Sequence, residues 1–588
     1  PAGGAHKVLL ATADELYDQY AYGIARNPIS MRKFAQDALK HWAKNAQYLF
    51  LLGKGVSAAD LGHEYFRNDP SILAQNLVPS FGLHPCDNLI TVHIKDSLKF
   101  APAIPTGRLA ATNNQDVANY LSKIQQYEGA PRAPWMKNVL HFGGGNSSSE
   151  QAQFANNLEA YRVILEDTAF GGSIHTFLKT TSAPIQITLS DSVKQLIETG
   201  ASLMTFFGHA SGSSFDQSID QPEGYNNAGR YPVVVANSCY SGNIHNPAGI
   251  GETRINEDYV LYPNGGAIAF IAQVGQGISQ YLHNYSQNLF NHIGRQNYGE
   301  PISHSMRRTV LDIQANYLYM KVLCLEMTLH GDPALVLNSF AKPDYEIKPE
   351  NIFFSTGIAG NNSITASLDS FYVNVHVKNI ARATADSSIL QVKRVSPGAI
   401  SPQILTRTIH GVHNNEVFSF KFPIDRVNGI GLNKFEVIAD ATNVIDELDN
   451  SGNNTASSEL NIISGFISPV YPYNFAIVPH DTITLIASTF DPLAAPANYY
   501  FQLDTNDKFN PGSPQFKTTT INSAGGLLSW KVPVTLTDST VYYWRVSRDT
   551  LGTHQSQFWK TSSFQYINGK TGWSQAHFPQ FKNDEYKF

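Results

Sequence analysis

Met204-Thr-Phe-Phe-Gly-His-Ala-Ser211 and, further on, Val233-Val-Val-Ala-Asn-Ser-Cys-Tyr-Ser-Gly242 decide how this chain is read. Each opens with an unbroken run of strand length and closes on small residues, Gly208 in the first and Ser238 in the second. Apolar runs without polar alternation mark strands buried on both faces, as in a parallel sheet covered by helices. A chemically active side chain follows each run, His209 and then Cys239. In open parallel sheets, reactive groups collect at the carboxyl ends of strands. Thirty residues separate the two (239 − 209), enough for a crossover connection, so neighbouring strands would set them side by side.

That pair suits acyl transfer. A thiol near its free pKa is mostly protonated at neutral pH, and the thiolate is the nucleophile. A neighbouring imidazole can take the proton and later return it to a leaving amine. Small residues around the pair leave room for backbone N–H groups to meet an oxyanion, with the N–H groups of Ala210 and Cys239 as candidates. The bland alternative is a small core cysteine near an unrelated histidine. Cys324, within Val322-Leu-Cys-Leu325, reads as core, and Cys86, in the turn-like His84-Pro-Cys-Asp87, reads as structural.

Outward from these segments, residues 1 to about 340 alternate apolar runs with amphipathic stretches. Lys7–Ala11, Tyr48–Leu52, Asn138–Phe142, Ser202–Phe207, Val233–Ala236 and Ala267–Ala272 read as strands. Met31–Asn45, Gln115–Tyr127 and Glu150–Glu166 read as helices. Past Ser339 the pattern changes. Phe371, Val373, Val375 and Val377 alternate with polar neighbours, the signature of a half-buried strand. A second β block follows Pro469. With 588 residues the chain is too long for one core. The expected division is an α/β domain over 1–340, one β-sandwich over 341–465, a second over 466–568, and a tail or truncated domain over 569–588. The start at Pro1, without methionine, suggests a chain processed or cut from something longer.

The composition bounds the function. Charged residues are 15% and the net charge is −6, with no polybasic run, which argues against nucleic acid as a partner. Three cysteines cannot build a disulfide framework. No apolar run reaches the length of a membrane span. Asp446-Glu-Leu-Asp449 begins a stretch rich in Asp, Asn and Gly, so Asp446 and Asp449 are candidates for structural calcium. Asp504-Thr-Asn-Asp507 is a similar case, and for both the plain alternative is a hairpin turn. No cofactor is required by the chemistry.

Gly208-His-Ala-Ser, Asn237-Ser-Cys-Tyr-Ser-Gly, Gly265-Gly-Ala-Ile-Ala-Phe-Ile-Ala and Leu329-His-Gly-Asp-Pro-Ala-Leu occur in the order seen in gingipain-type cysteine peptidases. Leu51-Leu-Gly53 and Pro105-Thr-Gly-Arg-Leu109 fit the same pattern, and the resemblance covers roughly residues 5 to 338. Within that group, the Ser-Cys-Tyr-Ser-Gly form and the trailing β modules look most like the type IX secretion system sortases of Bacteroidota. The resemblance implies a caspase-like α/β fold followed by two immunoglobulin-like sandwiches and a catalytic pair of His209 and Cys239. It also implies a site at the cell surface, on the outer membrane. Its partners would be secreted cargo with carboxyl-terminal sorting domains and other surface proteins of the secretion system. Hydrolysis and transfer to an amine both remain open.

Two departures qualify it. Gingipains carry an acid close after the strand that here ends at His141-Phe142. This chain has Gly143-Gly-Gly145 there and no acid until Glu150, leaving the third catalytic member unassigned. Gingipains also have glycine where Ala210 stands. Glu150 has two readings, a specificity pocket for basic side chains or a first-turn carboxylate favoured by the helix dipole. The rivals to an enzyme of this type are a non-catalytic surface binding protein and a secreted degradative protease.

Overall fold

The computed structural model describes residues 6–581 except 43, 58–67, 97–98, 185, 188–190, 212–213, 220, 248–253, 315–316, 360–362, 367, 450–451, 464–465, 490–495 and 550–557. Eight strands form one sheet: β1 (Leu49–Leu52), β2 (Thr106–Leu109), β3 (Asn138–Gly143), β4 (Ser173–Leu178), β5 (Leu203–Phe207), β6 (Val233–Asn237), β7 (Ala269–Gln273) and β8 (Met327–His330). Their spatial order is β1-β2-β8-β7-β6-β5-β3-β4. The strands from β3 to β7 run parallel to their sheet neighbours, while β8 reverses against β7 and runs with β2. Every residue of β5, β6 and β7 is buried, as their unbroken apolar runs require. Helices α1 (Ser148–Glu166) and α2 (Ser279–Asn291) pack on the sheet through Phe154, Leu158, Tyr161, Leu282 and Leu289. This is a caspase-like α/β core.

One expected strand does not form. Lys7–Ala11 carries no ladder, and Val8, Leu9 and Leu10 are 81%, 61% and 80% exposed. The run has strand-like residues, but a strand needs a paired neighbour, and among the described residues β1 pairs only with β2.

The later residues form antiparallel sheets. In the first sandwich, Phe371, Val373, Val375 and Val377 are fully buried while Tyr372, His376 and Lys378 are not. The alternation therefore faces one side of Ser370–Asn379 into the core, against Leu390, Val392, Phe435 and Val437. In the second, Trp544 and Phe501 stack at the centre, 6.5 Å apart. The tail adds Gly572–Trp573 to that module, paired with Ala476–Ile477.

The first sandwich is fastened to the α/β domain by a buried lysine. Lys137 precedes β3 and donates from Nζ to the carbonyls of Asn379 (3.0 Å), Ala381 (2.8 Å) and His413. Gly171, at φ +57°, lies against the same point, where a Cβ would come 2.4 Å from the His413 carbonyl. Burial pushes Lys137 down to about 7. We expect Lys137→Met, which leaves the carbonyls unpaired, to cost about 1–3 kcal/mol in denaturant unfolding. Between about pH 7 and the usual lysine value the unfolded chain binds more protons, so this group's contribution grows with pH across that window. Wild-type stability should rise there relative to Lys137→Met.

Candidate active site

Register aligns the two expected residues. β5 and β6 pair from Leu203↔Val233 to Phe207↔Asn237, a constant offset of thirty. Two residues beyond the last pair stand His209 and Cys239, at equivalent points past adjacent strand ends. The Gly208 N–H donates to the Asn237 carbonyl at 3.2 Å, so the strands stay joined up to the residue before each.

A sharp turn presents the thiol. Tyr240 adopts φ +56°, an uncommon conformation for a residue with a side chain. Its N–H bonds the Gly275 carbonyl at 2.8 Å, and Gly242 bonds Gln273 at 2.9 Å, which fixes the turn against the segment after β7. Cys239 is partly exposed, with Sγ 3.6 Å from the Gly277 carbonyl. Beneath it Ser238 Oγ meets Ser241 Oγ at 2.9 Å, and the Asn237 amide accepts from Ser286 on α2. Neither the Ala210 nor the Cys239 N–H donates to a described residue.

Glu150 sits beside His209. Ser147 caps α1 and accepts the Glu150 N–H, placing Glu150 in the first turn as the helix dipole favours. From there its Oε2 lies 3.3 Å from His209 Nε2 and accepts the Asn146 N–H at 2.9 Å. The Asn146 N–H, with His209 adding to it, holds the Glu150 carboxyl below the ordinary range. The Phe154 ring, one turn on, lies 6.1 Å from the imidazole.

Asp216 was not singled out from the sequence. It is buried, accepts the His209 N–H at 3.2 Å and the Gly145 N–H at 2.7 Å, and faces Lys179 Nζ at 3.4 Å. One carboxylate thus ties the glycine loop after β3 to the histidine loop after β5. It also explains two glycines, because a Cβ on Gly144 or Gly208 would come within 2.0 and 2.6 Å of Asp216 Oδ1. We expect Asp216→Asn to lower kcat about tenfold with little change in KM, and to lose about 1–3 kcal/mol of stability. Steady-state kinetics and thermal melting read both.

The other motif residues serve the scaffold. Arg108 on β2 is buried on Asp87 through two bonds of 2.8 and 2.7 Å, which pins the segment carrying Cys86. His330 ends β8 with its ring on the Ala110 N–H and the Asn256 amide. Cys86 and Cys324 are both buried. Burial, with the Glu326 and Asp87 carboxylates, drives the Cys86 thiol far up, and burial alone drives Cys324 up to about 12. Asp446 sits on Lys342 at 2.7 Å, and nearby Glu447 accepts the Tyr345 N–H. Among the described residues no three His, Cys, Asp or Glu gather around a point that could hold a metal.

The family model of peptidase family C25 matches residues 2–338. No curated protein matches. Among solved structures, the chain is similar to the Arg-specific cysteine proteinase gingipain R at 13% identity and TM-score 0.40, covering 74% of this chain and 89% of that one. A complex of Porphyromonas gingivalis RgpB pro- and mature domains matches at 12% identity and TM-score 0.40, covering 75% and 92%. A Saccharomyces cerevisiae separase–securin complex matches at 11% identity and TM-score 0.28, covering 39% and 14%.

Proposed function

The chain belongs to peptidase family C25, a cysteine peptidase family, and from that premise we propose that Cys239 and His209 cut a peptide bond through an acyl-enzyme, with Glu150 orienting the imidazole. The observation that carries this reading is the shared strand offset, which sets the two residues at matching ends of β5 and β6. His209 takes the thiol proton, Sγ attacks the scissile carbonyl, and the imidazolium protonates the departing amine. The N–H groups of Ala210 and Cys239 receive the oxyanion. Thiolate and imidazole suffice for this chemistry without a cofactor. Calcium at Asp446 and Asp449 would at most be structural.

The acceptor decides the biological role. We place the protein at the cell surface, on the outer membrane, as a sortase-like transpeptidase that removes carboxyl-terminal sorting domains from secreted cargo. The Ser238-Cys-Tyr-Ser-Gly242 form and the trailing sandwiches support that narrower reading. The test is mass spectrometry of a cargo protein's new carboxyl terminus. An added amine-bearing group supports transfer, and a free acid reduces the role to hydrolysis. Cargo left uncut by the intact chain would leave the binding-protein rival standing.

Glu150→Gln separates its two roles. Orientation of His209 depends on the carboxylate charge, so kcat should fall about tenfold on every peptide tested. A specificity role would instead change the ranking of peptides with basic and neutral residues before the cut. Library profiling of the variant distinguishes the outcomes.

A further inference from the structure

The helix Leu318–Glu326 is apolar on the wrong side. Its inner face, Met320, Leu323 and Cys324, is buried in the α/β core. A helix at a protein surface normally turns polar residues outward, and one apolar all round is normally buried all round. Here Tyr317, Leu318 and Tyr319 project from the first turn with 59%, 69% and 58% of their surface exposed. The Tyr281 ring stacks on Tyr319 at 6.3 Å and lies 6.4 Å from Tyr317. Ile278, 39% exposed, extends the patch.

The patch is continuous with the nucleophile. Cys239 Sγ lies 3.6 Å from the Gly277 carbonyl, and Ile278 is the next residue. The Ile278 carbonyl accepts the N–H groups of Tyr281 and Leu282 at 3.0 Å each, so Tyr281 stands in the first turn of α2. From sulfur to the tyrosine rings the path runs through one carbonyl, one helical turn of about 5 Å and one ring contact. Laid end to end those legs come to roughly 15 Å, about four residues of an extended peptide at about 3.4 Å each. Contiguous exposed apolar surface marks an interaction site. Tyrosine suits one, since its broad ring adds contact area while its hydroxyl stays wet.

We propose that Ile278, Tyr281, Tyr317, Leu318 and Tyr319 form a docking surface for an apolar or aromatic side chain of the substrate polypeptide, about four residues from the bond cut at Cys239. This rests on the reading of Cys239 as the nucleophile and adds a preference to it. The occupant is the substrate because the patch adjoins the reactive sulfur.

The test is cleavage of a peptide library randomised over four positions on either side of the cut, by the intact chain and by Tyr317→Ser/Tyr319→Ser. Both residues are more than half exposed, so the variant should fold; circular dichroism checks this. The expected result is a preference for apolar or aromatic residues at one position about four from the cut. The variant should lose about 10–100-fold in kcat/KM on those peptides, mostly through KM, with peptides polar at that position within twofold of wild type. An unchanged preference, or an equal loss on all peptides, overturns the proposal. Binding of the preferred peptides to Cys239→Ala, followed by fluorescence anisotropy, keeps the two readings apart. If no peptide is cut yet anisotropy shows binding that depends on Tyr317 and Tyr319, the catalytic reading falls and the docking surface stands. Self-association abolished by the double substitution, without effect on peptides, makes a second copy the occupant and overturns the substrate assignment.

Discussion

Cys239→Ala should abolish peptide cleavage while leaving the fold intact. Removing the nucleophile of a mechanistically similar serine enzyme costs about 10⁶ in kcat, and what remains comes from oxyanion donors and substrate binding. The substitution removes one sulfur from a partly exposed turn whose shape depends on backbone bonds from Tyr240 and Gly242 and on the Ser238–Ser241 contact. Stability should therefore change by no more than about 0.5 kcal/mol. Alkylation gives an independent readout. At pH 8 iodoacetamide should modify Cys239 in the folded chain, while Cys86 and Cys324 stay protected. Both are buried, and both thiols are pushed above the usual range, Cys324 to about 12. Quantitative peptide mapping checks this. Labelling of Cys86 or Cys324 ahead of Cys239, or full activity in Cys239→Ala, would remove Cys239 as the nucleophile.

The parts legible from the sequence are those governed by local pattern. The runs ending at Phe207 and Ala236 are almost wholly apolar, and a double-sided burial pattern of that length leaves little but a central strand. Period-two alternation over Phe371–Lys378 was equally direct. Lys7–Ala11 has the same local character, yet strand identity belongs to a pair of segments, and no partner lies beside it among the described residues. The contact between Glu150 and His209 needs information that spacing does not carry. It depends on β3 lying next to β5 with β4 displaced to the sheet edge. Only then does the helix after β3 begin beside the loop after β5. Asp216 was hidden for a similar reason. An acid in Phe215-Asp-Gln-Ser218 reads as an ordinary loop residue until two glycine-lined backbones are seen to close around it. Gly143-Gly-Gly145 stood out as the place where an acid was missing. Its middle residue, Gly144, clears space for the carboxylate that Asp216 supplies.

His209→Ala should lower kcat/KM by roughly 10²–10⁴ and change its dependence on pH. The base has two tasks, raising the thiolate fraction before attack and delivering a proton to the leaving amine. Removing it leaves only solvent base to take the thiol proton, so residual activity should climb with pH. Wild-type activity should instead follow a bell, because a base and then an acid act in the same cycle. The carboxylate of Glu150 lies 3.3 Å from the imidazole Nε2. Glu150→Gln should therefore lower the height of the bell, because the imidazole loses the carboxylate that orients it. His209→Gln tests whether a neutral hydrogen-bonding group can substitute. It should lie close to His209→Ala, since a carboxamide cannot carry the proton to the amine. A pH–rate profile of the four chains decides among these. If His209→Ala keeps the wild-type bell at reduced height, a different group carries the proton and His209 holds only a structural place beside Cys239.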